Sequence, residues 1–170
     1  MEGNKSKPRA LLVFGAPCSG KTTFSEKFAK RFDLAYFNFD HIREEHRLTR
    51  KMMLLIIELL ARTGKTLVIE GGLGTEKERA EVRNALRASG YEPSLIWIQT
   101  DIATIRLRMK MRHKSVSKAR EVYDAAVRSL EAPSEVEKPI ILSGKHTFET
   151  QTRHILAGLA DSEQNNDRKR

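Results

Sequence analysis

The chain has 170 residues, enough for one domain with its own hydrophobic core. Apolar residues make up 39% and charged residues 31%, and the longest apolar stretch, 52–60, carries Glu58 within it, which predicts a globular protein and excludes a membrane-spanning helix. A net charge of +9 favours anionic partners such as nucleotides, sugar phosphates or nucleic acid, and the single cysteine, Cys18, excludes an internal disulfide framework.

Residues 1–8 are polar and lack an apolar signal core, so a flexible N-terminus and a cytoplasmic location are expected. Residues 9–14 form a short apolar run that predicts a buried strand. A glycine-bounded loop follows, and then Phe24, Phe28 and Phe32 recur at intervals of four, marking an amphipathic helix. Residues 36–39 predict a second strand. A helical stretch over 42–62, broken near Thr49, includes the run Met52 to Ile57, which predicts burial on several faces; Gly64 ends it. Residues 66–69 predict a third strand, closing on Glu70-Gly71-Gly72. Thr75 and Glu78 form a capping-box signature for a helix that Gly90 stops. Residues 95–98 predict a fourth strand, with Trp97 in the core. Asp101 is the expected N-cap of a helix whose Ile102, Ile105 and Met109 face the core. A helix over 118–130, a strand over 139–142 and a helix over 148–159 complete the domain, followed by a polar tail, 161–170, expected to be disordered. The alternation of strand and helix predicts an α/β fold, a parallel sheet with helices on both faces. In such sheets, ligands bind beyond the carboxyl ends of the strands.

The candidate chemistry falls at those ends. Gly15-Ala16-Pro17-Cys18-Ser19-Gly20-Lys21-Thr22 matches the Walker A pattern and, with Thr23, is the expected ATP-binding segment. Its glycines permit turns that aim backbone N–H groups at a phosphate, and the helix beginning near Gly20 adds its positive end. Lys21 is expected on the β- and γ-phosphates and the Thr22 hydroxyl on Mg2+. Cys18 reads either as an oxidisable thiol or, more simply, as a small residue that fits the loop. After the second strand, Asp40 is placed to accept the proton of an acceptor hydroxyl, or else only caps a helix starting at His41; Arg43, one turn on, is placed to clamp the acceptor. Glu70, after the third strand, is the expected metal or acceptor contact, or else an exposed strand-end acid. Between Ile102 and Arg120 there are seven Lys or Arg residues and no acid. Within that segment Arg108 and Arg112 share a stripe that can close as a lid (about 106–120) and stabilise charge on a transferring phosphoryl group; a solvated basic face is the alternative. His41, His46, His113, His146 and His154 show no metal-ligand spacing.

Together these stations resemble the small P-loop kinases of the polynucleotide kinase, zeta-toxin and chloramphenicol phosphotransferase type. The likeness rests on Gly15 to Thr23, on Asp40-x-x-Arg43, on Arg108-x-x-x-Arg112 and on Glu131-Ala-Pro133, and spans roughly residues 9–160. The resemblance implies a P-loop NTPase sandwich with a five-stranded parallel sheet in the order 2-3-1-4-5. It also implies that Lys21, Thr22, Asp40, Arg43, Arg108 and Arg112 carry the chemistry, with Asp40 as base. Glu70-Gly71-Gly72 departs from the family's more usual Asp-containing segment. The expected function is transfer of the ATP γ-phosphate to a hydroxyl of a small molecule, nucleoside or nucleic acid. The alternative is a nucleotide-binding regulatory ATPase acting through a partner.

Overall fold

A computed structural model describes residues 7–112 and 116–167. Its centre is a parallel sheet of β1 (Arg9–Phe14), β2 (Ala35–Asn38), β3 (Leu67–Glu70), β4 (Glu92–Gln99) and β5 (Ile140–Ser143), in the order β2-β3-β1-β4-β5. The helices are α1 (Lys21–Arg31), α2 (Phe39–His46), α3 (Arg50–Ala61), α4 (Glu76–Ala88), α5 (Ile102–Arg112), α6 (Val116–Arg128) and α7 (Phe148–Asp167).

Side chains alternate across a strand, so β1, at the middle of the sheet, feeds two cores. Ala10, Leu12 and Phe14 pack with Met53 and Ile57 of α3 and Val82 and Leu86 of α4. Leu11 and Val13 pack with Phe24 and Phe28 of α1 and Ile155 of α7. The result is a three-layer α/β/α sandwich, with the expected strand order.

The break near Thr49 is sharp. Arg47 takes a left-handed conformation (φ 51°) after α2, and the Thr49 hydroxyl caps α3 by accepting from the Met52 amide. The run Met52 to Ile57 is not buried on several faces. Met53 and Ile57 are buried, while Met52 and Leu55 are half exposed, because α3 lies against one face of the sheet and has only one covered side. Ile102 likewise faces solvent, leaving Ile105 and Met109 as the buried face of α5. Asp101 does cap α5, accepting from the Thr104 amide at 2.9 Å. Both arms of the Thr75–Glu78 capping box are formed. The last helix runs on to Asp167, so residues 161–167 of the expected disordered tail continue it; adding turns to an existing helix costs far less than nucleating one. Residues 1–6 and 168–170 of the two expected flexible ends lie outside the described residues, as does His113.

One ion pair sits inside the fold. Arg79 is wholly buried, its guanidinium 4.7 Å over the Phe14 ring. Its Nε and Nη2 donate to the two Glu137 oxygens at 2.8 Å each, and Nη1 donates to the carbonyls of Leu73, Gly74 and Glu131. Arg79 holds the Glu137 carboxyl below its ordinary value of 4.5. A depressed carboxylate pKa means the unfolded chain binds the extra proton. The pair's contribution is therefore present at neutral pH and lost as pH falls from about 4.5 downward. Glu137→Ala strands a buried guanidinium and is expected to cost about 3–5 kcal/mol in urea unfolding. A loss under about 1 kcal/mol, the range of exposed pairs, would show that the pair is not a structural element.

Candidate functional site

The loop between β1 and α1 is shaped by close packing. A Cβ on Gly15 (φ 149°) would fall onto the Ile98 carbonyl oxygen of β4. Gly20 (φ 107°) starts α1 with no side-chain cap, and no acid lies in the helix's first turn. The first amides and the positive end of α1 are thus left for an anion, which fits the phosphate expected there. Ser19 is fully buried, and its carbonyl accepts from the Thr100 hydroxyl at 2.8 Å, tying the loop to the end of β4. Thr23 lies exposed on the first turn of α1. Lys21 Nζ donates to the Ala16 carbonyl at 3.2 Å. Desolvation lowers the Lys21 pKa, opposed by the nearby charges of Glu70 and Asp40.

Glu70, at the end of β3, is buried rather than an exposed strand-end acid. Its Oε1 accepts from the Thr22 hydroxyl at 2.7 Å and its Oε2 from the Tyr36 hydroxyl at 2.9 Å. Burial and the Glu70 charge push the Tyr36 phenol well above its usual value. No group of three or more His, Cys, Asp or Glu able to hold a metal exists among the described residues. One hydroxyl and one carboxylate suit Mg2+, which keeps most of its shell as water and phosphate oxygen.

Asn38, not Asp40, caps α2, its side chain accepting from the His41 amide at 3.1 Å. Asp40 instead points across to the β3–α4 loop. Its Oδ1 accepts from the Gly72 amide at 3.1 Å and from Arg43 Nη2 at 3.1 Å. The approach needs Gly71 (φ 89°), where a Cβ would strike the Asp40 backbone nitrogen. Lys21, Asp40, Arg43 and Gly72 line one cleft of about 310 Å3 together with Gly15, Pro17 and Leu130. A second cavity of about 270 Å3, floored by Leu48 and Met53, shares Asp40, Arg43 and Gly72 with it.

The two arginines of α5 separate. Arg108 donates to the carbonyls of Cys18, Ser19 and Gly144 at 3.0 to 3.2 Å, so its guanidinium braces the outside of the phosphate loop. Arg112 is exposed, yet close enough to act on Lys21. Arg106 and Lys110 are exposed as well.

Sequence reasoning missed Tyr36, Thr100, Gly144 and Arg50. Arg50 donates to the Gly72 and Glu78 carbonyls at 2.6 Å each and pairs with Glu81 at 3.0 Å, fixing the β3–α4 loop that faces Asp40. None of these carries a local motif. The Glu131 segment was noticed, and its place is now concrete: the Glu131 amide donates to the Gly74 carbonyl, and its carboxylate accepts from the Glu76 amide at 2.7 Å.

The strand order and the glycine-bounded loop after β1 define an α/β fold of the P-loop type. The sequence model of the AAA_33 family, an AAA domain, matches residues 11–135, and the chain belongs to this family. No curated protein matches it by sequence. A gluconokinase from Sinorhizobium meliloti 1021 is similar in structure, with a TM-score of 0.71 at 16% identity, covering 97% of this chain and 99% of that one. The APS kinase of Mycobacterium tuberculosis, in complex with AMPPNP and APS, has a TM-score of 0.64 at 13% identity, covering 91% and 98%. Kti12 of Chaetomium thermophilum, in complex with ADP-AlF3, has a TM-score of 0.67 at 14% identity, covering 89% and 97%. No helix among the described residues is long and apolar enough to cross a membrane.

Proposed function

We propose that the protein is an ATP-dependent kinase that moves the γ-phosphate to a hydroxyl of a small acceptor. The observation that carries this reading is the shared cleft of Lys21 and Asp40, which sets a phosphate-binding cation and a carboxylate in one cavity. The backbone from Gly15 to Thr23 cradles the polyphosphate. Lys21 neutralises charge on the β- and γ-oxygens, and Arg112 approaches from α5 as the transferring group passes. Arg108 acts by holding the loop's backbone. Thr22 would hold Mg2+ through its hydroxyl, with the Glu70 carboxylate supporting that hydroxyl. Bound there, the ion would offset charge on the bridging phosphates. Asp40 takes the acceptor's proton as its oxygen bonds to the γ-phosphorus, the β–γ bridge breaks and ADP leaves. Arg43 and the loop from Gly71 to Thr75 hold the acceptor, whose remainder extends into the cavity over Leu48 and Met53.

The AMPPNP bound to the APS kinase and the ADP-AlF3 bound to Kti12 support nucleotide binding by this fold. The kinase neighbours favour a sugar or another small hydroxyl compound. The resemblance to polynucleotide kinase, zeta-toxin and chloramphenicol phosphotransferase adds nucleosides, 5′-hydroxyl oligonucleotides and antibiotics to the candidates.

A transfer screen with γ-labelled ATP across sugars, sugar acids, nucleosides, antibiotics and 5′-hydroxyl oligonucleotides tests the proposal. A labelled acceptor is expected. For a nucleic-acid acceptor, affinity falls steeply with salt; for a neutral one it does not. Labelled phosphate released with no labelled acceptor would replace the kinase by the regulatory ATPase.

A further inference from the structure

Tyr36 is a feature of the phosphate side that neither the Walker A pattern nor the strand-end acids account for. It lies in β2, two positions before Asn38, which pairs with Glu70 in the parallel register. Tyr36 and Glu70 are therefore diagonal neighbours on one face of the sheet, the face that α1 covers and from which Thr22 approaches. Its hydroxyl reaches Glu70 Oε2 at 2.9 Å, while Thr22 holds Oε1 at 2.7 Å. The direction of each bond is set. A carboxylate only accepts, so both hydroxyls donate to it. Both oxygens of Glu70 are thus taken by donors from separate elements, Tyr36 of β2 and Thr22 of α1.

We propose that Tyr36 is a positioning residue for the metal. By occupying one oxygen of Glu70 it fixes the carboxylate so that the other receives the Thr22 proton, which turns the Thr22 lone pairs outward toward the ion. Without the phenol hydroxyl, Glu70 is free to rotate and Thr22 loses its fixed orientation. The inference rests on the nucleotide-site reading above and makes a narrower claim, because it concerns the metal and not the polyphosphate cradle.

Tyr36→Phe tests it, since the ring keeps its packing and only the hydroxyl is removed. Calorimetric titration of ADP is run in EDTA and again across a series of Mg2+ concentrations. The wild-type protein is expected to bind ADP more tightly as Mg2+ rises. In Tyr36→Phe the Mg2+ midpoint is expected to rise about 10-fold, the scale of a lost outer-shell partner, with the metal-free ADP affinity unchanged. In a Glu70→Gln background, Tyr36→Phe is expected to add nothing further, because the two act as one unit. An unchanged Mg2+ midpoint overturns the proposal. So does a parallel loss of metal-free affinity, which marks a general structural role, and so does full additivity with Glu70→Gln. A wild-type protein whose ADP affinity ignores Mg2+ overturns the nucleotide-site reading itself, and this inference with it.

Discussion

Lys21→Ala is expected to reduce phosphoryl transfer by about 1000-fold or more while the protein stays folded. Lys21 is the Walker A lysine expected at the β- and γ-phosphates; Arg108 is committed to three backbone carbonyls and Arg112 stands in solvent, so neither replaces it. The folding side of the prediction follows from the sign of the pKa shift. Desolvation lowers the Lys21 pKa in the folded chain, so charging it there costs free energy relative to the unfolded chain. That cost is present at neutral pH and disappears only as pH rises toward the lysine's ordinary value of 10.5. Removing the amine is therefore expected to leave the melting temperature unchanged or slightly raised. Initial rates on the labelled acceptor and a thermal melt check both halves. A variant that transfers phosphate at the wild-type rate would remove Lys21 from the mechanism.

Asp40→Asn is expected to lower turnover by about 100- to 10,000-fold, the usual range for a lost general base, with ATP affinity nearly intact. The substitution is clean because asparagine keeps the oxygen that accepts from Gly72 and Arg43, so the β3–α4 loop and α2 have no reason to move. What is lost is the negative charge and with it the capacity to take a proton, while the exposed pair with Arg43 becomes a neutral hydrogen bond. Single-turnover rates with the true acceptor, set beside a calorimetric ATP affinity, separate the two effects. Full activity in Asp40→Asn would mean that the acceptor proton leaves by another route and that Asp40 serves only to hold the loop.

Much of this site was legible in the sequence. The Walker A residues, Asp40 and Glu70 each follow a predicted strand, with Arg43 one turn on, and the structure gathers them beyond the carboxyl ends of β1, β2 and β3. Alternatives open in the sequence were decided by neighbours far along the chain. Asp40 is not the helix cap because Asn38, two residues earlier, takes that place. Glu70 is not a surface acid because α1 and β2 close over it, with partners at separations of 48 and 34 residues. Arg108 and Arg112 looked equivalent as a stripe, yet the helix's orientation sends one guanidinium under the phosphate loop and leaves the other in solvent.

What the sequence determined by itself was the order of strands and helices and the glycine-bounded loop after β1. These depend on side-chain periodicity, glycine placement and capping, all of which act within a few residues. What only the tertiary structure decided was which polar groups meet: Tyr36 with Glu70, Arg79 with Glu137, Arg50 with Gly72, and Arg108 with Cys18 and Gly144. Those meetings follow from the parallel register and from how each helix is rotated on the sheet. Both are set by packing the two cores as a whole, and no local stretch of chain encodes them.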